Sequence, residues 1–124
     1  MKKILAVLAL ALASTNSFAV TVAKGKLVRN SSGDEAISVE VSYGGGCKAH
    51  KFSLQVESCF ETMPVQCDTT IVDATKDDFC EAYITETIEL PLKQNGLLDS
   101  YYSGASITIT GDRETKTHVT LPRF

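Results

Sequence analysis

Tryptophan is absent, and the 124-residue chain holds only two histidines, two methionines and three prolines. Without tryptophan it lacks the widest aromatic surface from which a carbohydrate-stacking platform could be built. Two histidines, His50 and His118, leave little room for a nucleophile–histidine–carboxylate arrangement. No Gly-x-Ser-x-Gly elbow, His-Glu-x-x-His pair or phosphate-cradling glycine loop occurs, and the Gly44-Gly45-Gly46 run precedes a strand pattern rather than a helix. Nothing singles out two of the 15 Asp and Glu residues as an acid–base pair. These absences argue against an enzyme and call for no cofactor.

Long apolar runs are missing after the first residues. The run Ile4 to Ala13 follows Lys2 and Lys3 and precedes Ser17-Phe18-Ala19, the layout of a secretory leader cut after Ala19. It is too short to span a bilayer, which takes about 20 residues. No cysteine stands directly after the leader for a lipid anchor, since the first is Cys47. The expected mature chain, 20–124, is therefore free of the membrane and lies in the periplasm or outside the cell. Without Lys2 and Lys3 its formal charge falls from −3 to −5, which repels nucleic acid and anionic lipid. Its length suits one domain with a single core.

What the chain does contain is period-two alternation. Ile37, Val39, Val41 and Tyr43 interleave with polar residues, as do Phe52, Leu54 and Val56, then Ile107 and Ile109, then Val119 and Leu121. Residues 105–121 read as a hairpin about Gly111-Asp112. Weaker strands are expected at 20–29, 68–73 and 80–90, the last with Ala82, Ile84, Ile88 and Leu90 inward. Glu86 interrupts that inward row, either at a bulge or as a charge guarding an edge strand. Turns are expected at 30–34 and 44–46, and a loop with one helical turn near 97–102 over 91–103. About seven short strands make an all-β, antiparallel β-sandwich of immunoglobulin-like size.

Four cysteines in a short exported chain point to two disulfides, with three possible connectivities. A hairpin through 60–66 would set Cys59 opposite Cys67, which leaves Cys47 for Cys80. In the chain-entropy model these bridges contribute about 2.5 and about 4 kcal/mol respectively. The competing use of Cys47 is as a zinc ligand with His50 at Cys-x-x-His spacing, but an oxidising compartment consumes the thiol first.

His50 shares parity with Phe52, Leu54 and Val56 and so faces inward at the mouth of its strand, where the ordinary role of an imidazole is a hydrogen-bonded structural one. Its alternative is a metal site, for calcium or zinc, with Asp73, Asp77 and Asp78. The calcium-loop pattern of a helix–loop–helix hand is not met, because Asp78 stands where glycine is needed and Ile84 where a bidentate Glu is needed. His118 falls on the wet side of the last strand. Tyr101 and Tyr102, among serines and glycine, resemble a binding loop, although one ring in the core with the other covering it is the commoner use. With Phe60 and Met63 on the bridge-closed loop, they are the expected contacts for a partner, a protein or a small ligand.

The segments GGGCKAHKFSL at 44–54 and CEAYITETIELPLK at 80–93 resemble a group of uncharacterised bacterial secreted proteins and lipoproteins that carry Gly-Gly-Cys-x-x-His-x-Phe-x-Leu and Cys-Glu-Ala in that order. There is a looser similarity to the β-sandwich of NigD-like proteins. The resemblance implies a sandwich in which Cys47 and Cys80 form the group's bridge, with Cys59 and Cys67 an addition. At Ile71-Val72-Asp73 the chain departs from the group, which carries a His before the Asp. No activity comes with the resemblance.

Overall fold

A strand whose alternate side chains are apolar can bury only one face, so it needs a second sheet to cover it. A computed structural model describes residues 19–124 and shows how that cover is built; the leader expected over 1–19 lies, but for Ala19, outside the described residues. The strands among the described residues are β1 (Thr21–Arg29), β2 (Glu35–Gly45), β3 (Phe52–Phe60), β4 (Gln66–Asp73), β5 (Ala82–Pro91), β6 (Ser106–Thr110) and β7 (Lys116–Thr120), with a 3₁₀ turn at Ser100–Tyr102. One sheet has the order β1-β2-β5 and the other β3-β4-β6-β7. The expected all-β sandwich of seven strands with two disulfides, Cys47–Cys80 and Cys59–Cys67, is what the chain forms.

The core lies between the sheets. Ile37, Val39, Val41 and Tyr43 of β2 face Leu54, Ile71, Ile107, Ile109 and Val119 of the other sheet, with Leu90, Leu92, Leu97 and Leu121 closing the sides. All pairs are antiparallel except β4 with β6, which run parallel. The chain leaves β4, crosses to the first sheet for β5, and returns through 92–105 to enter β6 in the direction of β4, a connection of the length a parallel pair requires. That return is not a plain surface loop, because Leu92 and Leu97 are buried and Asn95 bonds into the edge of β3: its Oδ1 accepts from the Leu54 amide at 2.8 Å.

The two sheets also meet edge to edge at β1 and β7. A register shift between Ala23 and Lys26 turns the Gly25 amide toward β7, where Thr117 Oγ1 accepts it at 2.7 Å, while Thr115 Oγ1 accepts the Val22 amide at 3.1 Å. A Cβ at residue 25 would stand 2.9 Å from the Thr117 side chain, so this approach needs glycine.

Glu86 stands opposite Val41 in an unbroken β2–β5 register, so it is a true inward charge on an edge strand rather than the product of a bulge. The Tyr43 hydroxyl donates to its carboxylate. Burial first, then that bond and the negative charge of Glu86, Asp73 and Asp78, push the Tyr43 phenol up to about 12. Replacing Glu86 with Ile would complete an apolar row on β5, and we expect self-association at micromolar concentration that sedimentation velocity detects; a monomer at all concentrations would contradict the guarding role. Of the other residues expected inward on β5, Ile84 and Ile88 pack on the core and Leu90 is buried, whereas Ala82 beside the Cys47–Cys80 bridge is exposed.

The turn expected at 44–46 starts later: Gly44 and Gly45 continue β2. At Gly45, with φ of 148°, a Cβ would fall 2.5 Å from the Asp78 carboxylate and 2.9 Å from His50, so the strand can pass this cluster only without a side chain.

Candidate functional site

Two places collect residues singled out in the sequence, at opposite ends of the β3–β4 hairpin. The first is built where β2 hands over to β3 and β4 to β5. His50, two residues before β3, points inward beneath Tyr43, with ring centroids 4.5 Å apart. Its side chain is 5% exposed, and both ring nitrogens are taken: Nδ1 lies 2.5 Å from Asp73 Oδ2 and Nε2 lies 2.7 Å from Asp78 Oδ2. Asp73 is held in turn at the end of β4, where its Oδ1 accepts the Thr75 amide at 2.9 Å.

Asp78 is the hub. Besides His50 it accepts the amides of Gly46, Cys47, Lys48 and Cys80, at 3.1 to 3.3 Å. The His50 bond comes first in holding its carboxyl down at about 2, with the amides of Cys47, Cys80 and Gly46 behind it and its own desolvation opposing. For His50, burial disfavours the charged ring, but the bonds to Asp78 and Asp73 and their charges outweigh it, so its pKa is raised above 6.5. When protonated, the ring can donate from both nitrogens to two carboxylates.

The structure thus brings together three of the four residues weighed as a metal set. Asp77 lines the same cavity of about 330 Å³, with Tyr43, Phe79 and Val20, but His50 bonds only Asp73 and Asp78. A cation entering here would have to displace the His50 ring and backbone donors from oxygens they already occupy. Cys47 and Cys80 come close to Asp78 as well, but their sulfurs are spent on each other in the bridge.

The second place is the far end of the hairpin. Phe60 ends β3 and is 61% exposed, and Met63 at the loop tip is 98% exposed. The loop is braced: Cys59 pairs with Cys67 directly across the strands, Thr62 Oγ1 donates to the Pro64 carbonyl at 2.8 Å, and Ser106 N donates to the Val65 carbonyl at 2.9 Å. Tyr101 reaches the same end, its hydroxyl donating to Glu61 at 3.4 Å. Tyr102 turns inward and packs against the core, edge-on to Tyr101. A shallow groove of about 310 Å³ runs beside the tip, lined by Met63, Pro64, Ser103, Gly104 and Arg123.

His118 is exposed on β7, with Nδ1 3.0 Å from Thr108 Oγ1. Sequence reasoning missed the role of Asp78 as a receptor for backbone amides, the bond of Tyr43 to Glu86 and that of Asn95 to β3. One signal for the first was present: Asp73-x-Thr75 and Asp78-x-Cys80 both carry the Asx pattern, in which the side chain accepts the amide two residues on. Comparison of the chain with protein-family models, with characterised proteins and with solved structures finds no match.

Proposed function

We propose that the protein is exported, with its leader removed after Ala19, and works without catalysis as a binding module that grips a secreted protein, an enzyme being the favoured partner, through the Phe60–Pro64 end. The observation that carries this reading is the near-complete exposure of Met63 beside the exposed Phe60 on a loop braced by a disulfide and by its own hydrogen bonds. Exposed apolar side chains on a chain held in one shape lose little freedom on docking, which is what binding loops of tight inhibitors exploit. Tyr101 adds a rigid aromatic at the rim. The two disulfides support an oxidising compartment.

The test uses the exported, oxidised protein against a panel of purified secreted hydrolases, read by calorimetry and by inhibition. A hydrolase should bind, and Phe60→Asp or Met63→Asp should each weaken that binding by about 30-fold, the scale of a hot-spot loss. Binding indifferent to both substitutions, or turnover of a hydrolase substrate by the protein itself, would sink the reading.

A second reading, a calcium or zinc protein, rests on the convergence of His50, Asp73 and Asp78, whose present hydrogen bonds an ion would have to displace. A ligand that binds only the folded state must stabilise it. On this reading either ion raises the melting temperature of the wild type and leaves His50→Ala unmoved; an unchanged melt in the wild type discards it.

A further inference from the structure

Among the described residues, the first whose side chain joins the core is Val20. Its side chain belongs to the core at 9% exposure, and Asp112, in the turn between β6 and β7, clamps its backbone at both polar atoms. The Val20 amide donates to Asp112 Oδ2 at 2.7 Å, and the Asp112 amide donates to the Val20 carbonyl at 2.7 Å. The leader cut read from Ser17-Phe18-Ala19 falls at this very nitrogen.

We propose that Asp112 is a built receptor for the processed N-terminus, and that cleavage converts a neutral amide bond into an ion pair. This rests on the export reading above. Hydrolysis of the Ala19–Val20 bond by a leader peptidase adds one water. The departing segment keeps the new carboxylate on Ala19, and the proton that carboxyl gives up goes to the Val20 amine, which is an ammonium at neutral pH because an α-amino group titrates near 7.7–8.0. The ammonium appears where the amide nitrogen stood, at hydrogen-bond distance from a carboxylate, and a charge-assisted bond replaces a neutral donor. The precursor lacks this pair, so the fold reaches its full stability only after processing.

The exported protein supplies the test. Its intact mass should begin at Val20. Acetylating the α-amine selectively near pH 6.5 removes the charge, and should lower the melting temperature by about 2–4 °C in the wild type but not in Asp112→Asn, the range for one solvent-accessible pair in a domain of this size. The amine itself reads the pair without unfolding: it should acylate about two- to threefold faster in Asp112→Asn. A different first residue overturns the leader reading and this one together. Val20 first, with a wild-type melt indifferent to acetylation or equal amine reactivity in the two proteins, overturns this one alone.

Discussion

Replacing Cys47 and Cys80 by alanine is expected to lower the melting temperature by about 16 °C or more, the larger of the two disulfide effects. The bridge stands at the base of an excursion. The chain leaves the first sheet after Gly45, forms the β3–β4 hairpin in the second sheet, and returns to pair Ala82 with Gly45. Cys47 and Cys80 close that loop at its neck, over a separation of 33 residues, against 8 for Cys59 and Cys67. In the chain-entropy model the long closure contributes about 4 kcal/mol and the short one about 2.5, and each kcal/mol shifts the melt of a domain of about 100 residues by about 4 °C or more. The short bridge joins residues already opposed in the β3–β4 ladder, so its loss should cost about 10 °C. Thermal melts of the two double-alanine proteins decide the order. A larger drop for the Cys59–Cys67 pair would show that the neck is held by Asp78 and its backbone donors rather than by the sulfurs.

A plateau of stability between about pH 4 and pH 6.5, with a loss on either side, is the second large effect, and it comes from the same neck. The pKa of His50 is raised, chiefly by Asp78 and then Asp73 working against burial, so the stability its charge contributes is complete below 6.5 and is lost as pH climbs through the raised value. The Asp78 carboxyl is lowered from 3.8 to about 2 by His50 and the amides around it, so its contribution is complete above 3.8 and is lost as pH falls toward 2. Tyr43, which covers the ring, stays neutral throughout, since its phenol lies at about 12. Denaturant titrations across pH 2–9 should show both limbs. His50→Gln should flatten the alkaline limb and Asp78→Asn the acid one. An alkaline limb that persists unchanged in His50→Gln would place the titrating group elsewhere.

The parts of this fold that could be read from residues were those set by local rules. Alternation marked β2, β3, β6 and β7 because each buries one face only, and Cys59 could be matched to Cys67 because a hairpin places its ends opposite each other. The inward direction of His50 followed from its parity with Phe52. What stayed hidden depends on contacts between distant segments. Nothing near Asp78 in sequence says that its carboxylate will receive amides from residues 46–48, some 30 positions earlier. The single parallel pair arises from the path of the whole return segment, and Leu92 and Leu97 are core residues inside a stretch whose turn signals read as surface. Gly44 and Gly45 looked like a turn because glycine usually marks one; here Gly45 is required by a close pass of two side chains.

Two open sheets present four strand edges, and growth of a fibre by strand addition consumes two edges per molecule. In this protein β1 gives two of its edge amides, Val22 and Gly25, to the side chains of Thr115 and Thr117 at the edge of β7, and β3 is bent by a register shift between Val56 and Ser58 and capped at Leu54 by Asn95. Among the described strands, only β5 keeps a straight, uninterrupted edge. Pairing through that edge uses it up in both molecules, so the sandwich can join a second copy this way but cannot polymerise, and the association opened by Glu86→Ile should stop at the dimer.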